Sequence, residues 1–287
     1  MSLDVINNDP VKVEKAKEIS SMLSKEIELS KIDILEVLKD ERIKEVSTEV
    51  VGQRVEVLSE TYGASETEKE RVAGYKVVVV PSDLYMRLGY SEMCEDLFEN
   101  VNSVGDLVKK DMLSTSVLLL KKADGSTGIC NSKEKLIVVR DTDDENMLNR
   151  TIDHEIIHAM ADYEEGKSGF QDDSDEESRD LNEAMVEIME MMNTFKLNPK
   201  ELTESLISGK IGLVENRLSD VLPLLALFLI VDGSDEPLSV SELTKHYWKG
   251  DVEGFMDKLV EKVDSEKEKG LSGEILQLMS DLYSRIK

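Results

Sequence analysis

The pentapeptide His154-Glu155-Ile156-Ile157-His158 sets two imidazoles four residues apart with a carboxylate beside the first. An α-helix turns 100° and rises about 1.5 Å per residue, so such histidines lie nearly above one another, roughly 6 Å apart along the axis. Both rings can then reach a single ion. Glu155 stands at the edge of that ion's surroundings, where a carboxylate can take a proton from water. These residue types at this spacing point to metal-assisted hydrolysis. The chain has only three histidines, and two of them are these.

For the motif to work it must lie on a helix held against a core. Lys135 to Arg140 (KLIVVR) is rich in β-branched residues and reads as a short strand. Asp141-Thr142-Asp143-Asp144 follows, and Asp143 or Asp144 is placed to cap a helix and to favour its N-terminal dipole. Met147, Leu148, Ile152, Ile156 and Ala159 recur at helical spacing and are expected to form its buried face. Two histidines and an open position need a third ligand. In the pattern H-E-x-x-H-x-x-G-x-x-H that ligand is a histidine, but here Ala161 replaces the glycine and Glu164 the histidine, so it must come from elsewhere. Downstream, Leu181, Met185, Ile188, Met189 and Met192 predict a second amphipathic helix from about Glu176 to Phe195.

Over Gly128 to Thr194 the chain resembles the gluzincin group of zinc metallopeptidases, whose third ligand is a glutamate in an N-E-x-x-x-[DE] setting on the helix after H-E-x-x-H. Asn182-Glu183-Ala184-Met185-Val186-Glu187 matches that setting. The resemblance implies that His154, His158 and Glu183 bind Zn2+, that Glu155 is general base and later proton donor, and that Glu187 accepts a hydrogen bond from the first histidine and fixes its tautomer. Asp162 and Asp180 are the rival third ligands. Gluzincins also place a tyrosine or histidine from the C-terminal lobe over the metal to steady the oxyanion. The corresponding candidates are His246 and Tyr247, with Arg217 in reserve. The implied activity is hydrolysis of peptide bonds in a peptide or protein substrate. The alternative is a regulatory or interaction protein that keeps the fold and its peptide-binding groove with little turnover, although the intact Glu155 speaks for turnover.

The expected fold is α+β, a zincin-like small sheet with the H-E-x-x-H helix and a mainly helical C-terminal lobe. We read residues 1–74 as an N-terminal helical region, 75–198 as the catalytic lobe and 199–287 as the helical lobe. Helix-periodic sequence runs from Val11 to Val72, with its first turn cluster at Tyr62-Gly63-Ala64-Ser65. Strands are expected at Lys76 to Pro81, Thr115 to Lys122, Gly128 to Asn131 and Leu136 to Arg140, with a helix near Ser91 to Lys110. Gly128 to Asn131 is the candidate edge strand for an extended substrate. After Asn198-Pro199 the chain is helical again, with a cap at Ser239 or Ser241 and a break at Gly250-Asp251. Asp172 to Glu183 has acids in calcium-loop positions but Glu177 where the loop needs glycine, so it reads as an acidic connector.

With 61 acidic against 35 basic residues the formal charge is −26, which disfavours nucleic acid and anionic membrane surfaces as partners. Cys94 and Cys130 are the only cysteines, too few for a disulfide framework, and are expected to be reduced and buried. MSLDVINNDP lacks a basic stretch followed by an apolar run, so a cytoplasmic location is expected. Val221 to Val231 is the most hydrophobic run, too short to span a bilayer and expected to be a buried helix.

Overall fold

A computed structural model of the chain describes residues 38–86, 88, 127–164, 167–172, 176–211, 218–232, 239–269 and 273. The expected helix near Ser91 to Lys110 and strand at Thr115 to Lys122 lie outside them, as do Cys94 and Arg217. The architecture is mixed: small sheets and a majority of helices. Two compact units divide the chain: Met1–Glu45 with Val78–Ile129 and Val138–Thr142, and Val46–Val77 with Cys130–Ile137 and Asp143–Lys287.

In chain order the elements begin with β1 (Lys44–Glu45), α1 (Thr48–Tyr62), α2 (Glu66–Val72) and β2 (Lys76–Val80). Ser47 caps α1 by accepting from the Val50 N–H, and Val51, Val55, Leu58 and Tyr62 form its buried stripe. The helix stops at Gly63, whose φ of 65° is the left-handed conformation that glycine adopts without a steric penalty. Ser65 and Glu68 form a capping box for α2. Next come β3 (Gly128–Asn131) and β4 (Leu136–Arg140). The sheet order is β1-β2-β4-β3. The valines of β2 and the Leu136-Ile137-Val138-Val139 run of β4 are buried, as continuous apolar strands are when both faces are covered. In the first unit, β1 pairs antiparallel with β2 through Lys44 opposite Val79 and Glu45 opposite Val78. Among the described residues β3 ends the order, the edge position expected for it.

The second unit continues with α3 (Glu145–Ala161), then β5 (Asp162–Glu164), β6 (Lys167–Ser168) and β7 (Gln171–Asp172), an antiparallel set in that order. Asp144 caps α3, accepting from the N–H groups of Asn146 and Met147 at 3.0 and 3.1 Å. Ile152, Ile156 and Ala159 are buried as expected. Met147 is 39 % exposed, because it lies in the first turn, before the helix runs under its neighbours. α4 (Glu176–Phe195) has the predicted bounds and packs along α3, burying Met185, Ile188, Met189 and Met192, with Leu181 half-buried at its start.

The remaining helices are α5 (Pro199–Ile207), α6 (Leu218–Asp232), α7 (Val240–Tyr247) and α8 (Val252–Lys269). Asn198 and Glu201 form a capping box on α5, with Pro199 in its first turn, and Ser239 with Glu242 does the same for α7. α6 is apolar nearly all round and sits against α4, α5 and α8, burying Val221, Leu225, Phe228 and Leu229 among others. Each such side chain contributes about 1.5–3 kcal/mol, so this helix is core and holds α4 from behind. Among the described residues no helix is long and apolar enough to cross a membrane.

Candidate metal centre

His154 and His158 project from α3 and Glu183 from α4, the two helices packed along one another. The Nε2 atoms of the histidines are 3.1 Å apart. Glu183 closes the triangle, with Oε2 3.5 Å from His154 Nε2 and Oε1 3.3 Å from His158 Nε2. Four ligands placed tetrahedrally at zinc–nitrogen and zinc–oxygen distances stand about 3.3 Å from one another. The triangle fits one face of such a site, and two nitrogens, one carboxylate and an open fourth position form a donor set suited to zinc. The side chains of His154, His158 and Glu183 are 12 %, 13 % and 29 % exposed, so the cluster opens to solvent on the Glu183 side.

The electrostatics also ask for a cation. Burial pushes the His154 imidazole down, but its hydrogen bond to Glu183 and the charges of Glu155, Glu183 and Glu187 outweigh it and hold the ring up to about 9. Glu183 shows the converse: burial pushes its carboxyl up, yet the two imidazoles keep it well below the ordinary carboxylate range. Asp162 and Asp180 do not join the triangle. Asp162 receives the Tyr75 hydroxyl at 3.3 Å, and Asp180 is exposed. Glu155 is buried on α3 next to His154, and its charge is felt at both His154 and Cys130 of β3. Burial, with Glu155 and Asp162, pushes the Cys130 thiol up.

Behind His154 lies a second cluster. Glu187 Oε2 is 3.8 Å from His154 Nδ1, and Glu190 lies beside it. These groups could by type hold an ion, but a guanidinium already fills the place. Arg150 donates from Nε to both Glu190 oxygens at 3.0 Å, and from Nη2 to Glu190 Oε1 at 2.7 Å and Glu187 Oε1 at 3.0 Å. Next to it, Asp153 accepts from Arg54 of α1 at 2.6 Å and from Asn193 of α4 at 2.8 Å. Sequence reasoning missed Arg150, Glu190, Arg54, Asp153 and Asn193. The one available signal was Arg150 one turn before His154 on the same stripe of α3.

The C-terminal candidates part company. His246 sits at the end of α7, where its Nδ1 and Asp251 Oδ2 are 2.7 Å apart; Asp251 also caps the start of α8 through Gly254. Tyr247 is fully buried against Phe170 and Trp248, feels the charge of Glu183, and its hydroxyl has no hydrogen-bond partner among the described residues. Its ring rests on Gly169 at the tip of the β6–β7 hairpin. A Cβ there would stand 2.4 Å from Tyr247 Cε2 and 2.5 Å from Asn182 Oδ1, and φ is +55°, so this tip admits only glycine. The Phe170 N–H donates to Asn182 Oδ1, which ties the hairpin to the residue preceding Glu183. Comparison of the chain with protein-family models, with curated proteins and with solved structures finds no match.

Proposed function

We propose that this protein is a zinc-dependent metallopeptidase of zincin-like fold and gluzincin type, hydrolysing peptide bonds in peptide or protein substrates. The observation that carries the reading is the triangle of His154, His158 and Glu183 donors, 3.1 to 3.5 Å on its edges, with the buried Glu155 following His154 on the same helix. Bound there, zinc would supply Lewis acidity, polarising a carbonyl and making water a stronger acid. Glu155 takes the proton of the attacking water and returns it to the departing amine. Glu187, with Oε2 3.8 Å from His154 Nδ1, sets a negative charge on that side, which favours the proton on Nδ1 and leaves the Nε2 lone pair forward. β3, at the end of the sheet order, offers the edge along which an extended substrate backbone adds as a further strand. Tyr247 is the better candidate for oxyanion donor, since its hydroxyl lacks a partner among the described residues whereas His246 is engaged by Asp251.

The test is metal analysis of protein purified without a metal-affinity tag, then digestion of a peptide library with and without chelator. We expect one zinc per chain and cleavage that chelation stops and zinc restores. Glu155→Ala should retain zinc and lose about 100- to 10,000-fold in turnover. Metal-free protein, or cleavage indifferent to chelator, would sink the reading.

A further inference from the structure

We infer that Arg150 is a positioning residue of the metal site, holding Glu187 in place behind His154 with Glu190 as its counter-anchor. The inference rests on the zinc reading above. The 3.8 Å from His154 Nδ1 to Glu187 Oε2 is too long for a hydrogen bond, so the imidazole does not fix this carboxylate. Arg150 does, through the 3.0 Å bond from Nη2 to Glu187 Oε1. Glu190 fixes the guanidinium in turn, both its oxygens accepting from Nε at 3.0 Å, and the Arg150 guanidinium carbon lies 5.9 Å from the centre of the Phe195 ring.

Glu187 and Glu190 are 6 % and 2 % exposed. Two carboxylates this deep repel one another unless a cation stands between them, and only a planar fork satisfies both at once. Without Arg150, Glu187 loses that 3.0 Å bond and faces Glu190 with no guanidinium between them. The carboxylate behind His154 Nδ1 then shifts, and the charge that favours the proton on Nδ1 and leaves the front nitrogen bare shifts with it. A lysine supplies the charge as a single point and cannot fork across the pair. Arg150 also lies four residues before His154 on α3, so one helix carries both the ligand and the group that steadies it.

The experiment measures zinc affinity by chelator competition, and the melting temperature of the metal-free protein, for the full-length chain and three variants. Arg150→Met should weaken zinc binding about 10- to 100-fold, the range for loss of a group that orients a ligand, and lower the melting temperature. The double variant Arg150→Met with Glu190→Met removes the deeper of the two stranded carboxylates, so melting temperature should recover in part while zinc affinity stays weak. Arg150→Lys should fall between wild type and Arg150→Met in affinity. If Arg150→Met does not fold, the double and lysine variants decide. Wild-type zinc affinity in the double variant would reduce Arg150 to a packing role and overturn the inference alone. A wild-type chain that binds no zinc overturns both this inference and the reading beneath it.

Discussion

The two faces of His154 meet clusters of nearly the same composition with opposite outcomes. In front, Nε2 faces His158 and Glu183 on a part-exposed surface. Behind, Nδ1 faces Glu187 and Glu190 in the core. Each cluster gathers negative charge around an imidazole, and either could by residue type take a metal. The rear is filled by the guanidinium of Arg150, which satisfies both carboxylates. In front the donor atoms of His154, His158 and Glu183 converge, and their mutual spacing is that of ligands around a small ion. A cluster of acids and histidine is therefore informative only once its internal cation has been sought.

The sharpest break in that contrast is removal of a front ligand. His158→Ala and Glu183→Ala should each lose zinc outright by elemental analysis, while the metal-free proteins stay folded because both side chains are partly exposed. Full zinc occupancy in Glu183→Ala would remove the glutamate from the ligand set. Next in size is Tyr247→Phe. It deletes only the unpartnered hydroxyl, and should slow turnover about 100- to 1000-fold with zinc retained if that group donates to the developing oxyanion. Turnover equal to wild type would leave Tyr247 a packing residue.

A third experiment sharpens the comparison from the rear. Asp153→Ala takes the carboxylate from Arg54 and Asn193, leaving the part-buried guanidinium only its bonds to Asn149, and should cost about 3–5 kcal/mol in urea unfolding. Asp153 does not touch the His154 ring, so zinc affinity should change less than the roughly 10-fold that marks an orienting group. The smallest effect belongs to the exposed histidine–acid pair, His246 with Asp251. The Gly254 N–H and then His246 hold the Asp251 carboxyl below its ordinary value of 3.8. A carboxyl with a lowered folded value stabilises the native state above its unfolded value, and that contribution disappears as pH falls through the folded one. The melting-temperature gap between wild type and Asp251→Asn should therefore be present at pH 7 and shrink below about pH 4. A gap that does not change with pH would mean the pair has no charge-dependent role.

His154, Glu155 and His158 were legible in the sequence because helix geometry alone brings residues four apart together. So were the bounds of α4 and, to within a pair of residues each, the caps that the structure gives to Asp144 and Ser239, which depend on one apolar stripe and on side chains reaching their own backbone. Glu183 was legible only through the resemblance of its setting, and the structure brings it to the histidines while leaving Asp162 and Asp180 aside. Met147 was misjudged because periodicity says which stripe of a helix is apolar and not where along the axis the core begins.

Sequence alone determined that His154 and His158 stand one turn apart with Glu155 between them, and the helices that carry them, all of which are set by contacts within a turn or two. Only the tertiary structure decided which charges face one another. Arg150 meets Glu190 across 40 positions and Arg54 meets Asp153 across 99, and in a chain of net charge −26 each of these reads as one more solvated side chain. An ion pair has no period and no fixed spacing. It forms where packing of α1, α3 and α4 removes water from one side of each helix, and that is a property of the assembled core.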